Sequence, residues 1–233
     1  MNIDRLFSRT FTAGFAAAVL VLAGCAASTP TIDTSPGAEV TFDGLHEVKG
    51  GSADQAWARP GVDLSQYSKI MLQGAGIEYR PGGESGRFLS SSSRGGPYEV
   101  TEQQKAGFRA VVAEVFFAEL SKSEHFTIVS EPGPDVLIVR GAILDVVSYV
   151  PPEPIGPGAI YLSKVAEATL VLELRDSITE AILARAVDRS VAVDMTRMSQ
   201  SNTVTNTAMV KRMVGSWARL LRERLDQFAA PKE

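Results

Sequence analysis

The sequence predicts a single α+β domain, a mostly antiparallel or mixed sheet of five to six strands with two amphipathic helices packed on it. Three observations predict it. Two segments carry apolar residues at helical spacing, several others are short apolar or alternating runs, and Gly- or Pro-containing breaks separate them. The 233 residues, 45% hydrophobic and 21% charged, suffice for one domain with its own core.

The N-terminus reads as an address. Arg5 and Arg9 precede an apolar stretch over residues 11–22. That stretch is too short for a helix across a bilayer core of about 30 Å, which needs about 20 residues, and has the length of a signal-peptide core instead. It ends in Leu22-Ala23-Gly24-Cys25, which resembles the lipobox of bacterial lipoproteins. The resemblance implies cleavage before Cys25 and a lipid on its thiol. Several acyl chains on one residue make a stable anchor where one would not. Ala26 and Ala27 follow, with no acidic residue, which points to the outer membrane, periplasmic face, over the inner membrane. Residues 1–24 are thus expected to be removed and 25–39, broken by Pro30 and Pro36, to form a tether. Residues 40–230 are expected to fold.

Within the folded part, residues 40–48 read as a short strand or extended segment, and 50–61 as irregular. A strand follows within 67–79, best supported at Ile70, Met71 and Leu72. Residues 80–97, rich in glycine and serine, read as a loop. Thr101 and Gln104 have the spacing of a capping box. Phe108, Val111, Val112, Val115, Phe116 and Leu120 then mark the buried face of a helix over 102–123. A short strand at 126–130 leads to a longer one at 135–150. Val136, Leu137, Ile138 and Val139 are apolar at every position, the pattern of a central strand covered on both faces.

Residues 151–158 cannot continue a ladder, because Pro151, Pro152, Pro154 and Pro157 lack the N–H. From there Ala166, Ala168, Leu170, Leu172 and Leu174 face one way, and Glu167, Thr169, Val171, Glu173 and Arg175 the other. A hairpin turn at 176–180 returns the chain over 181–193. The last helix, over 205–228, carries Val210, Met213, Val214, Trp217, Leu220, Leu221, Leu225 and Phe228 on one face.

Several of these stretches resemble the proteobacterial lipoproteins catalogued as domain of unknown function thirty-three thirteen. The resembling runs are Gly44-Leu45, Arg59-Pro60-Gly61-Val62-Asp63-Leu64-Ser65-Gln66-Tyr67 and Lys69-Ile70-Met71-Leu72. Further on come Glu131-Pro132-Gly133-Pro134-Asp135-Val136-Leu137 and Glu173-Leu174-Arg175-Asp176-Ser177. The resemblance implies an envelope lipoprotein and confers no activity or catalytic residue. One departure stands out. Glu180 occupies the place expected for glycine after Thr179, which counts against a tight turn with positive φ there.

Few residues carry a pattern that points to chemistry. A net charge of −4 argues against nucleic-acid binding. A single cysteine excludes an internal disulfide and a cysteine-built zinc site. Of the two histidines, His125 follows the first helix, where a cation is favourable, and His46 sits beside Glu47. Gly83-Glu84-Ser85-Gly86 lacks the spacing of a nucleophile elbow. Gly74-Ala75-Gly76 lacks the third glycine of a phosphate loop, with Tyr79 in its place. Glu167 and Glu173 read as an exposed strand face, solvated or paired with Arg185 or Arg189. The last helix carries Lys211, Arg212, Arg219, Arg222 and Arg224, a solvated face offset by Glu223 and Asp226.

The expectation is therefore a lipid-anchored periplasmic accessory or scaffold protein, not an enzyme, with no cofactor and no metal. It would meet an envelope protein partner through the semi-rigid loop at Pro151, Pro152, Pro154, Ile155 and Pro157, which loses little entropy on docking. The alternative is a binder of a small ligand or lipid, using a cleft between a helix and the sheet.

Overall fold

The computed structural model describes residues 30–81, 97–151, 159–194 and 198–229. The lipobox with Cys25, the loop over 82–96 and Pro152, Pro154, Ile155 and Pro157 lie outside the described residues. Pro151 is half-buried at the end of the strand that precedes it.

An eight-stranded mixed sheet forms the frame, more than the five to six strands expected. The strands are β1 (Thr31–Ile32), β2 (His46–Lys49), β3 (Gln55–Ala58), β4 (Lys69–Tyr79), β5 (Thr127–Val129), β6 (Val136–Ser148), β8 (Lys164–Asp176) and β9 (Ile182–Val193). Their spatial order is β1-β2-β3-β9-β8-β6-β4-β5. A separate pair joins β7 (Tyr161–Leu162) to β10 (Ser199–Gln200). The added strands are short. β1 lies inside the segment expected to be a tether and pairs with β2, and β3 lies inside the segment expected to be irregular and pairs with β9. Strands of two and four residues between glycine and proline breaks carry too few side chains to display a period.

The centre matches its hydrophobic pattern. β6 lies between β8 and β4, and all four residues of its Val136–Val139 run are buried. β4 pairs in parallel with β6 and β5, the crossover to β5 being α1 (Glu102–Leu120), while β6, β8 and β9 run antiparallel. Gly74-Ala75-Gly76 sits at a register shift of β4, with Gly76 at φ +120°, where glycine is permissive. The capping box forms, with Gln104 N–H donating to the Thr101 hydroxyl and Thr101 N–H to the Gln104 amide oxygen.

α1 and α2 (Thr203–Ala229) pack on the same face of the sheet. One core cluster gathers Ile70, Leu137, Val139, Leu120 and Leu225, and the other Ile143, Leu170, Met213, Val214 and Trp217. Gly215 gives α1 close access: a β-carbon built there would lie 3.8 Å from Val115. The β8–β9 turn corrects one expectation. Glu180 does adopt positive φ, at 58°, although it is not glycine. Asp176 holds the turn by accepting the N–H groups of Ile178 and Thr179 and the Thr179 hydroxyl.

Candidate apolar groove beneath the last helix

Four alanines make the site. Ala56 and Ala58 on β3 stand in register with Ala186 and Ala184 on β9. Such short side chains cannot reach the C-terminal half of α2 above them. A groove of about 340 Å³ remains between helix and sheet, within the lower part of the range of small-molecule pockets. The helix side presents Trp217, Leu220, Leu221, Leu225 and Phe228, residues spaced to share one helical face. Leu170, Leu172 and Leu174 of β8 continue the sheet side, and Ile32 of β1 with Val48 of β2 extend it to the sheet edge.

Polar groups at the groove are few, and hydrogen bonds fix them. Trp217, 3% exposed, donates its indole N–H to Asp188 at 2.7 Å. Asp188 also accepts the Asp54 N–H. Arg185 is bound to Asp43 and to Glu173 at 3.0 Å. Burial pushes the Glu173 carboxyl up, but bonds from Arg175 and Arg185 outweigh it and hold the group below the ordinary carboxylate value. At the mouth, Arg224 donates to Gln227 at 2.7 Å and to Ser52 at 3.2 Å, linking α2 to the β2–β3 connection.

The face of the sheet away from the helices carries charge already paired within the chain. Glu167, 6% exposed, accepts from Lys164 at 2.6 Å and from Arg189 on the neighbouring strand. Of the two readings open for Glu167 and Glu173, cross-strand pairing is the one found. A wider open depression of about 680 Å³ lies where β4, β5 and β6 begin, beside the Lys69–Asp135 pair.

His125 turns its Nε2 to the Tyr67 carbonyl at 3.1 Å and its ring edge to Phe126, and His46 Nδ1 meets the Asp33 carbonyl at 2.8 Å. Among the described residues no group of three or more metal-ligating side chains converges. No described helix is long and apolar enough to cross a membrane. The sequence marked Trp217 and its neighbours as a helix face and left a cleft between a helix and the sheet as an alternative, but it did not mark the residues of the opposite wall. The available signal was the small-residue alternation Ala56-Trp57-Ala58 and Ala184-Arg185-Ala186.

Comparison with known proteins gives a family and distant likenesses. A family model described as "Protein of unknown function (DUF3313)" matches residues 35–221. No curated protein matches the chain. Among solved structures, a Xanthomonas campestris protein assigned to family-model DUF330 is 13% identical, over 73% of this chain and 93% of that one, with a TM-score of 0.39. The PelC dodecamer from Paraburkholderia phytofirmans is 10% identical, over 71% and 96%, with a TM-score of 0.33. A putative neuraminyllactose-binding hemagglutinin homolog from Helicobacter pylori is 9% identical, over 71% and 84%, with a TM-score of 0.31.

Proposed function

This chain belongs to the DUF3313 family of proteins of unknown function, and from that premise we propose that it is a non-enzymatic, lipid-anchored envelope lipoprotein that acts by binding an apolar ligand. One observation carries the reading: the groove between α2 and strands β3, β8 and β9 is walled by leucine, alanine and tryptophan and, among the described residues, stands unfilled beside a close-packed core. Protein interiors seldom keep such space, because each void forfeits dispersion contacts. Space lined this way suits a ligand that supplies those contacts. The anchor belongs to the same proposal and rests on Leu22-Ala23-Gly24-Cys25. The accessory role follows from the two together: a domain held at the membrane with an apolar groove is placed to hold a component of that membrane or to dock on one.

Binding of an apolar fluorophore tests it. The purified protein is expected to enhance the emission of such a dye, and a variant with Ala186→Phe, which fills the groove, is expected to lose that enhancement while keeping its fold. Equal enhancement by both would place the dye elsewhere and sink the groove as the binding site.

A further inference from the structure

We propose that the occupant of the groove is a free long-chain carboxylate, a fatty acid whose head is held by Arg224; this rests on the binding reading above and names its ligand class. Three observations point there. The first is size. About 340 Å³ lies at the small end of ligand pockets and suits one chain rather than a two-chain lipid. The second is shape. From Arg224 back to Trp217 the helix wall extends about 10 Å at the α-helical rise, a narrow track that takes the head-proximal part of one acyl chain. The third is charge at the mouth.

Four charged residues border the groove, and three of them are committed, Arg185 on the far face of the sheet. Arg185 is ion-paired with Glu173 and Asp43. Asp188 accepts from Trp217 and the Asp54 N–H. Asp63 accepts the Ser65 N–H and hydroxyl through Oδ1. Arg224 is held by neutral acceptors, the Gln227 amide and the Ser52 hydroxyl. Exchanging the Ser52 hydroxyl for a carboxylate replaces a neutral hydrogen bond by a charge-assisted one, the stronger kind, and Arg presents a fork that a carboxylate matches. The head then lies beside the β2–β3 connection and the chain runs along α2 over the alanine floor.

Trp217 lines this groove, and the only other tryptophan of the chain, Trp57, stands on β3 between the floor residues Ala56 and Ala58 with its side chain on the opposite face, so quenching of Trp217 reads the groove. The full-length protein is titrated with dibromostearic acid and, separately, with its neutral methyl ester. The expected result is saturable quenching by both, with the acid bound roughly tenfold more tightly, a preference of the size one charge-assisted hydrogen bond gives. Arg224→Gln is expected to abolish the preference, and Arg224→Lys to keep part of it. Equal affinity for acid and ester, or a preference that survives Arg224→Gln, overturns the carboxylate assignment and leaves the apolar groove standing. Quenching by neither probe overturns the groove as an acyl site and the binding reading with it. Thermal melts that match the wild type show that both variants are folded.

Discussion

Trp217 and Asp188 join the last helix to the sheet: the indole N–H reaches the carboxylate at 2.7 Å, with the ring 3% exposed. Burying an indole requires an acceptor, and Asp188 supplies it from β9 at the edge of the groove. Removing one partner is unequal. Asp188→Ala strands a buried donor at a cost of about 1–3 kcal/mol, whereas Trp217→Phe deletes the donor itself and leaves Asp188 its bond from Asp54. Urea unfolding is expected to place the midpoint of Asp188→Ala well below that of the wild type. If its midpoint is unchanged, the bond does not stabilise the fold.

Glu180 closes the β8–β9 turn at φ 58°. A side chain in the left-handed region costs about 1–2 kcal/mol, and glycine avoids that cost while adding conformational entropy to the unfolded chain. Glu180→Gly is therefore expected to stabilise the protein by about 0.5–1 kcal/mol. Glu180→Val, whose branched β-carbon fits this region worse, is expected to destabilise it. Thermal melts of both variants check the opposite signs, and a loss in both would mean that the glutamate side chain itself supports the turn.

The turn also shows what sequence can convey. Asp176, Ser177 and Thr179 announced a reversal, and the alternation from Ala166 to Leu174 announced which face of β8 meets the helices. Each is local, so each was legible. β3 was not, because Gln55-Ala56-Trp57-Ala58 alternates residues too small to mark a stripe, between Gly51 and Pro60. The groove was less legible still. It arises where Ala56 meets Ala186, residues 130 positions apart brought into register by the sheet, beneath a helix whose apolar face was plain but whose partner was not.

Glu167 makes acid stability residue-specific. A hydrogen bond from Lys164, with burial opposing and Arg189 assisting, holds its carboxyl at about 2, against an ordinary 4.5. A depressed carboxylate contributes stability above its unfolded value and loses it as pH falls toward the folded one. The contribution is present above about pH 4.5 and fades between there and about pH 2. Glu167→Gln is expected to be less stable than the wild type at pH 7, with the gap narrowing by pH 3. Denaturant midpoints at the two pH values test this, and a constant gap would assign the loss to packing instead.

Cys25 carries the anchor proposal. If its thiol takes the lipid, Cys25→Ala is expected to yield an unprocessed precursor or a non-lipidated product. Fractionation of cells and the electrophoretic size of the protein read both. A variant that still fractionates with the outer membrane at mature size would sink the lipobox reading, whatever the groove binds.

Ala186 tests the groove without any ligand. A larger side chain in a packed core forces strain costing about 1–3 kcal/mol, whereas one entering unfilled space gains buried apolar area at about 25 cal/mol per Å². Ala186 faces Ala56 across the β3–β9 ladder and lies among the residues lining the groove. Ala186→Leu is therefore expected to hold or raise stability by up to about 1–2 kcal/mol. The same change at Ala168, 1% exposed within the packed cluster under Met213 and Trp217, is expected to lower it. The pair separates room from mere hydrophobicity. If both substitutions destabilise alike, the space beneath α2 is not free to be filled, and a ligand has no more claim to it than leucine does.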